Sequence, residues 1–290
     1  MFVLQQIIQG ISLGSIYGLL AIGYVMIWNA WGILNFAQGD MCMLGAFSIL
    51  MMMVWCKLPV WLAFPAAILL SVIIGYLIER TSFRPLVKSS NTSKLIATIG
   101  VGIFIRNLYR LLFGAEAYAF PTIFGDKPVE IFGLTIVPQN VWIMVVGFLL
   151  VGLLTFFLKH TLTGKAMRAV AQDRDTSRLM GINVKRSLSL TFVIASAIGA
   201  IAGMLIAPVY MVMADMGVRM GTKGYASAVL GGLDSTAGAM IGGIVLGLLE
   251  GLGAGFISSA YQSAIAFFVL FIVLIIRPSG IMGSKNIGKD

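Results

Sequence analysis

Residues 136–158 read IVPQNVWIMVVGFLLVGLLTFFL, without one charged side chain, and Lys159, Lys165 and Arg168 follow. About 20 mostly apolar residues cross the hydrocarbon layer of a bilayer as a helix. Similar runs recur at roughly 4–28, 36–55, 59–79, 94–113, 187–213, 236–256 and 260–277, which makes about eight spans. The fold class is therefore an all-α polytopic membrane protein, read as a single transmembrane domain over 1–290. Composition agrees: 59% of the residues are hydrophobic and 11% charged, against about 25% charged in soluble domains. The first run lacks a basic flank and is too long for a signal peptide, so it is expected to stay as a helix. The stretch 224–235 is apolar but short and interrupted by Gly231, Gly232 and Asp234. It reads as a re-entrant or broken helix, which membranes tolerate where protein or a water-filled cavity shields the backbone.

Charge gives direction. Arg80, Arg84, Lys88 and Lys94 lie between two apolar runs, and Lys159 through Arg186 between two others. The segment 114–135 leans acidic, with Glu116, Asp126 and Glu130 against Lys127. Under the positive-inside rule, 80–94 and the loop 159–186 are cytoplasmic and 114–135 is external. Arg277, Lys285 and Lys289 argue for a cytoplasmic C-terminus. That requires an even number of crossings after the basic loop, so 224–235 would have to count as one; the orientation of the start stays open. The net charge of +9 does not suggest nucleic-acid binding in a chain this apolar.

Glycine is spaced by four at 10, 14 and 18, at 199 and 203, and at 243, 247, 251 and 255. This spacing places small residues on one helix face and predicts close backbone packing. Cys42 and Cys56 read as small buried hydrophobes. The single histidine, His160, sits at a helix end beside Lys159, where a cation suits the helix dipole.

Within the basic loop, 164–181 is expected to form a helix. Ala166, Met167, Ala169, Val170 and Ala171 share one face, and Lys165, Arg168, Gln172 and Asp175 the other. Thr163 is the expected N-cap and Gly181 the C-terminal glycine. Such a helix suits docking into a groove of a soluble partner or lying on the bilayer surface; its alanine-rich side would hold it only weakly to lipid. No phosphate-cradling loop is present: Gly164-Lys165 is followed by Ala166 and lacks the preceding glycine at the needed spacing. Any ATP consumed must be bound by another chain. An enzyme would need a nucleophile with a base partner or a metal cluster, and the single histidine and scattered acids form none.

Several ordered motifs carry a resemblance. They are Gly18-Leu-Leu-Ala-Ile-Gly23, Leu34 to Ala46 (LNFAQGDMCMLGA), Arg84 to Ser90 with Leu95 to Gly100, Gly164 to Ala169, Gln172-Asp173, and Leu179 to Asn183. Ala228 to Leu233, Gly238 to Gly243 and Arg277 to Gly280 complete the set. Over nearly its whole length the chain resembles the LivH-type permease subunits of branched-chain amino acid ABC importers. The resemblance implies a multi-pass protein of the bacterial inner membrane. It also implies a second, LivM-type permease, two cytoplasmic ATPase subunits and a periplasmic substrate-binding protein. No cofactor is expected in this chain, since ATP would be bound by the partner subunits. Residues 164–181 would be the coupling helix, with Gly164, Lys165, Arg168, Ala169, Asp173, Arg178 and Gly181 in contact with the ATPase. The chain departs from the family pattern at Gln38, Asp40 and Asp234, and relatives of this subunit also serve urea, amides and other small acids. An autonomous channel or secondary transporter for small neutral solutes is the other reading.

At membrane depth an ionisable group costs roughly 2.5–3.5 kcal/mol on insertion scales, so it faces protein or water. Asn35, Gln38, Asp40 and Glu250 are therefore candidates to line a translocation path. The alternatives are a turn for the first three and a structural pair for Glu250. Arg106 needs a partner; Arg110, one turn later, can snorkel outward.

Overall fold

The computed structural model describes residues 2–121, 129–131 and 134–283. Asp126, Lys127, Lys285 and Lys289, used above to orient the chain, lie outside the described residues. Eleven α-helices are present among these residues: α1 Phe2–Trp31, α2 Gln38–Leu50, α3 Val60–Ile78, α4 Asn91–Phe113, α5 Pro138–His160, α6 Leu162–Gln172, α7 Arg174–Leu179, α8 Val184–Ile206, α9 Met216–Gly231, α10 Thr236–Phe256 and α11 Gln262–Ile276. A small antiparallel hairpin, β1 Val129–Ile131 with β2 Leu134–Ile136, precedes α5. Among the described residues, eight helical stretches are long and apolar enough to cross a membrane.

The centre is α1, almost wholly enclosed by α10, α8, α9 and α5. Its contact with α10 is built on the two glycine series. A Cβ on Gly14 would stand 2.7 Å from the Ile244 Cα, and one on Gly10 would stand 2.9 Å from the Gly247 carbonyl oxygen. Gly199 and Gly203 play the same part between α8 and α2, where added methyls would meet Gln38, Met41 and Cys42. The four-residue spacing thus does what it predicts: hydrogen replaces side chain, and the backbones touch. Helices α3, α4, α5 and α11 are peripheral and show most of their apolar side chains outward.

Contacts at the helix ends sort the chain into two sides. Arg174, in the basic loop, donates to the Ala30 carbonyl, so α1 ends on the basic side. Phe2 packs edge-on against Phe256, which puts the start of α1 with the end of α10 on the opposite side. Tyr118 and Val212 exchange backbone hydrogen bonds of 2.9 Å, which joins the two loops of that opposite side. Residues 277–283 return to the basic side, where Ile281 and Met282 donate to the carbonyls of Leu230 and Gly231. With the basic side taken as cytoplasmic, the start of α1 is external and residues 277–283 are cytoplasmic.

The parity that the charges demand is supplied by α9. It starts at Met216, well before 224, and has 16 residues, about 24 Å at 1.5 Å per residue. That is short of a full bilayer core of about 30 Å, which is why it does not stand out as a span. After α8 the chain therefore crosses with α9, α10 and α11. The irregular part of 224–235 is confined to the turn at Gly232, whose φ is +107°, and Ser235 caps α10 by accepting the Gly238 N–H at 3.0 Å.

A second irregularity lies between α1 and α2. After Trp31 the chain turns back into the bundle rather than staying at the surface. Gln38 Nε2 donates to the Ala195 carbonyl, halfway along α8, at 2.9 Å. The Phe36 N–H donates to Thr98 Oγ1 within α4. Helix α2 consequently begins at mid-depth and runs outward, and a π-wound last turn, Met51–Trp55, continues it. Cys42 is buried as expected, whereas Cys56, just past that last turn, is exposed.

The basic segment differs from expectation in two ways. It forms two helices rather than one, because Asp173 leaves the helical region (φ −152°, ψ 117°) and caps the second, accepting the N–H groups of Asp175 and Thr176. The N-cap of the first is Thr161 rather than Thr163: its Oγ1 accepts the Gly164 N–H at 2.9 Å. Gly181 does end the pair, with φ +81°.

Candidate functional site

Two polar centres sit inside the apolar bundle, and both involve α9. In the first, Asp40 on the opening turn of α2 faces Arg106 on α4, with Arg106 Nε 2.9 Å from Asp40 Oδ1. The Asp40 side chain is 3% exposed and that of Arg106 24%. Arg106 Nε also donates to the Gly102 carbonyl at 3.2 Å. The pair lines a cavity of about 250 Å³ walled by Tyr24, Phe36, Gly102, Gly217, Gly221 and Tyr225. Glycines make the room: a methyl on Gly217 would stand 2.8 Å from Asp40 Oδ1. Through the exposed side chains of Ile99, Val218 and Thr222, the cavity meets the outer surface of the chain between α4 and α9.

In the second centre Glu250, fully buried in α10, accepts at Oε2 from Tyr17 Oη at 2.8 Å, Lys223 Nζ at 2.9 Å and Gln262 Nε2 at 3.3 Å. Lys223 also donates to Tyr17 Oη at 3.1 Å. Glu250 thus has its cation within the chain. A cavity of about 450 Å³ adjoins, lined by Tyr210, Met213, Arg219, Lys223, Gln262 and Phe267. Toward the external end, Arg110 pairs with Asp215. The face of α9 that points out of the chain therefore carries Asp215, Val218, Arg219 and Thr222, a polar stripe unsuited to lipid.

Asn35 and Gln38 are fully buried and shape the mid-depth break. Asn35 Oδ1 accepts the Ala37 N–H, and the Asn35 carbonyl accepts the Gln38 N–H. Asn35 Nδ2 and Gln38 Oε1 have no hydrogen-bond partner among the described residues. Of the four candidates, Asp40 lines the α4–α9 cavity, and Glu250 anchors the second centre. Lys223 and Tyr17 escape a reading of the sequence: a lysine between glycines on a short helix carries no local sign that its acid lies on another helix.

On the cytoplasmic side, Met167 and Val170 of α6 are buried against α1, α5 and α8. The Met167–Val170 face of α6 is thus taken up by its own chain, and the surface left free carries the basic side chains together with Leu162, Leu179 and Met180. Lys165, Arg168 and Arg178 are exposed, as is the tip Leu179-Met180-Gly181. Gly164 is buried against Phe157 and Leu158, Ala169 is half-buried, and Asp173 is the cap between the helices. Arg174 donates from Nε and Nη2 to the Ala30 carbonyl at 3.2 and 2.6 Å, fastening α7 to the end of α1. Burial pulls its pKa below the ordinary guanidinium value, with Asp175 opposing. Between this hairpin and the bundle lies a cavity of about 300 Å³, lined by Asn29, Ala30, Met167, Arg168, Gln172 and Asp234.

Comparison with known proteins agrees with this architecture. The family described as branched-chain amino acid transport system / permease component matches residues 6–274. The chain is 38% identical to the high-affinity branched-chain amino acid transport system permease protein LivH of Escherichia coli, over 100% of this chain and 98% of that protein. It is 37% identical to the corresponding permease protein BraD of Pseudomonas aeruginosa, over 99% and 97%. It is 24% identical to the permease protein LivM of Salmonella typhimurium, over 93% and 68%. No solved structure matches the chain. A permease fold of eight long spans, two polar centres at membrane depth and a basic hairpin on one side, matched along almost its full length, places this protein in the branched-chain amino acid transport system permease family.

Proposed function

We propose that residues 1–290 form one transmembrane permease unit of an ATP-driven importer in a bacterial inner membrane. Its solutes are branched-chain or similar small amino acids. ATP is bound and hydrolysed by two cytoplasmic ATPase subunits, so this chain carries no catalytic residue and no cofactor. A LivM-type chain completes the membrane core, and a periplasmic binding protein delivers the solute.

The observation that carries this reading is the α6–α7 hairpin. It is built as a lever: its apolar face grips α1, α5 and α8, Arg174 ties it to α1, and Lys165, Arg168, Arg178 and Leu179-Met180 face the cytosol. A push on the exposed tip reaches the helix that the rest of the bundle surrounds. An autonomous channel has no use for such a part. The relatives' names, with identities of 37–38%, support the solute class.

The test is uptake of labelled leucine into proteoliposomes holding both permeases and both ATPases, with the binding protein supplied. Accumulation needs ATP, and Arg168→Glu abolishes it while ATP hydrolysis continues. ATP-independent uptake by liposomes containing only this chain would overturn the proposal.

A further inference from the structure

Within the transporter reading, we propose that the cavity beside Asp40 and Arg106 holds the head group of a zwitterionic α-amino acid midway across the membrane. Four features of the cavity carry this. The two charges are opposite and adjacent, with Arg106 Nε 2.9 Å from Asp40 Oδ1. A zwitterion laid alongside them is antiparallel: its carboxylate meets the guanidinium and its ammonium meets Asp40. A cation alone or an anion alone would satisfy one group and face repulsion from the other.

Both charges have unused capacity. The two polar contacts of Arg106 go through Nε, so neither of them occupies Nη1 or Nη2. Those two nitrogens form the fork that takes a carboxylate with two hydrogen bonds. Asp40 Oδ1 is buried with no well-formed hydrogen bond, an expensive arrangement that an ammonium donor would relieve.

Size and lining give the third feature. About 250 Å³ is below the 300–1,000 Å³ of drug-sized sites and suits a small solute. Tyr24, Phe36 and Tyr225 offer apolar surface for an aliphatic side chain, and Tyr225 packs near both Tyr24 and Phe36, with ring centroids 6.0 and 6.1 Å away. The fourth feature is the mouth. It lies at Thr222 and Val218, on the outward face of α9 that also carries Asp215 and Arg219, a face unsuited to lipid.

The test uses the assembled permease–ATPase complex in nanodiscs, without the binding protein. The exposed Cys56 is replaced by serine, and Thr222→Cys places a thiol at the cavity mouth. The readout is the rate of methanethiosulfonate labelling with leucine, leucinamide (no carboxylate) or 4-methylpentanoate (no ammonium) present. At ligand about tenfold above its dissociation constant roughly one site in ten stays free, so labelling slows about tenfold. Leucine is expected to protect, and the two analogues at the same concentration are not. Arg106→Gln and Asp40→Asn are each expected to lose the protection by leucine.

Equal protection by all three compounds, no protection by any, or full protection surviving either substitution would overturn the assignment. The analogue comparison keeps the native pair, so it stands even where a variant fails to assemble. ATP-driven leucine uptake by the unmodified complex is measured in parallel. Uptake without selective protection refutes the site and leaves the transporter reading intact. Selective protection without uptake does the reverse.

Discussion

Replacing Lys223 by methionine removes the cation from a carboxylate that is fully buried. Methionine is similar in length and apolar, so packing is largely kept and the charge is what changes. Breaking a buried pair from one side costs about 3–5 kcal/mol. Here the low end, about 3 kcal/mol, applies, because Tyr17 and Gln262 still donate to Glu250. Glu250→Gln should cost less, about 1–2 kcal/mol: Lys223 keeps Tyr17 Oη and its side chain is 14% exposed beside the Tyr210–Phe267 cavity. The double variant strands no charge and should lose only about 1 kcal/mol, since a buried pair replaced on both sides is close to neutral. The cycle therefore predicts a coupling of about 3–4 kcal/mol, well above the 0.3–0.5 kcal/mol scatter of independent sites. The assay is reversible unfolding of the purified chain in mixed micelles titrated with SDS and followed by circular dichroism. Additive single effects, with coupling below about 0.5 kcal/mol, would refute the claim that Lys223 and Glu250 hold α9 to α10.

Other outcomes follow from the packing and the hairpin. Gly14→Val drives a side chain into Ile244, whose Cα would be 2.7 Å from the new Cβ; folded yield and thermal stability fall, by at least the 1–3 kcal/mol or so of an overpacked core. Gly100→Ala, with nothing within 4 Å of the new methyl, leaves both unchanged within about 0.5 kcal/mol. Asp173→Ala removes the cap of α7 at about 1 kcal/mol, and ATP-driven uptake falls more than ATP hydrolysis in the same proteoliposomes. Arg174→Ala frees α7 from the Ala30 carbonyl, and hydrolysis continues with little uptake.

What was legible in the sequence, and what was not, divides along physical lines. Span positions depend on runs of apolar side chains, and glycine faces on a four-residue period; both are local and both hold in the fold. Only the second half of helix α9 is legible, as the short broken helix at 224–235, because it starts in Met216-Gly217-Val218-Arg219 and carries Lys223, so its hydropathy is low for a crossing. It crosses because Asp215 meets Arg110 and Lys223 meets Glu250, partners far away in the chain. Arg106 advertised its need for an acid, but nothing local identified Asp40 as that acid. Glu79, buried and accepting from Ser189 at 2.8 Å, escaped for the same reason. The basic segment announced its amphipathic faces without saying which surface would cover the apolar one. That depended on α1, α5 and α8 arriving beside it.

The central claim is that the basic hairpin is the part a cytoplasmic ATPase moves. The most direct measurement places a photo-crosslinking side chain at Met180, which is 78% exposed at the tip, in the assembled complex. The account predicts an adduct between this chain and the ATPase subunit whose yield changes between the nucleotide-free and ATP-bound states. An adduct with lipid alone, or labelling of position 180 by a membrane-impermeant reagent added from outside the cell, would contradict it.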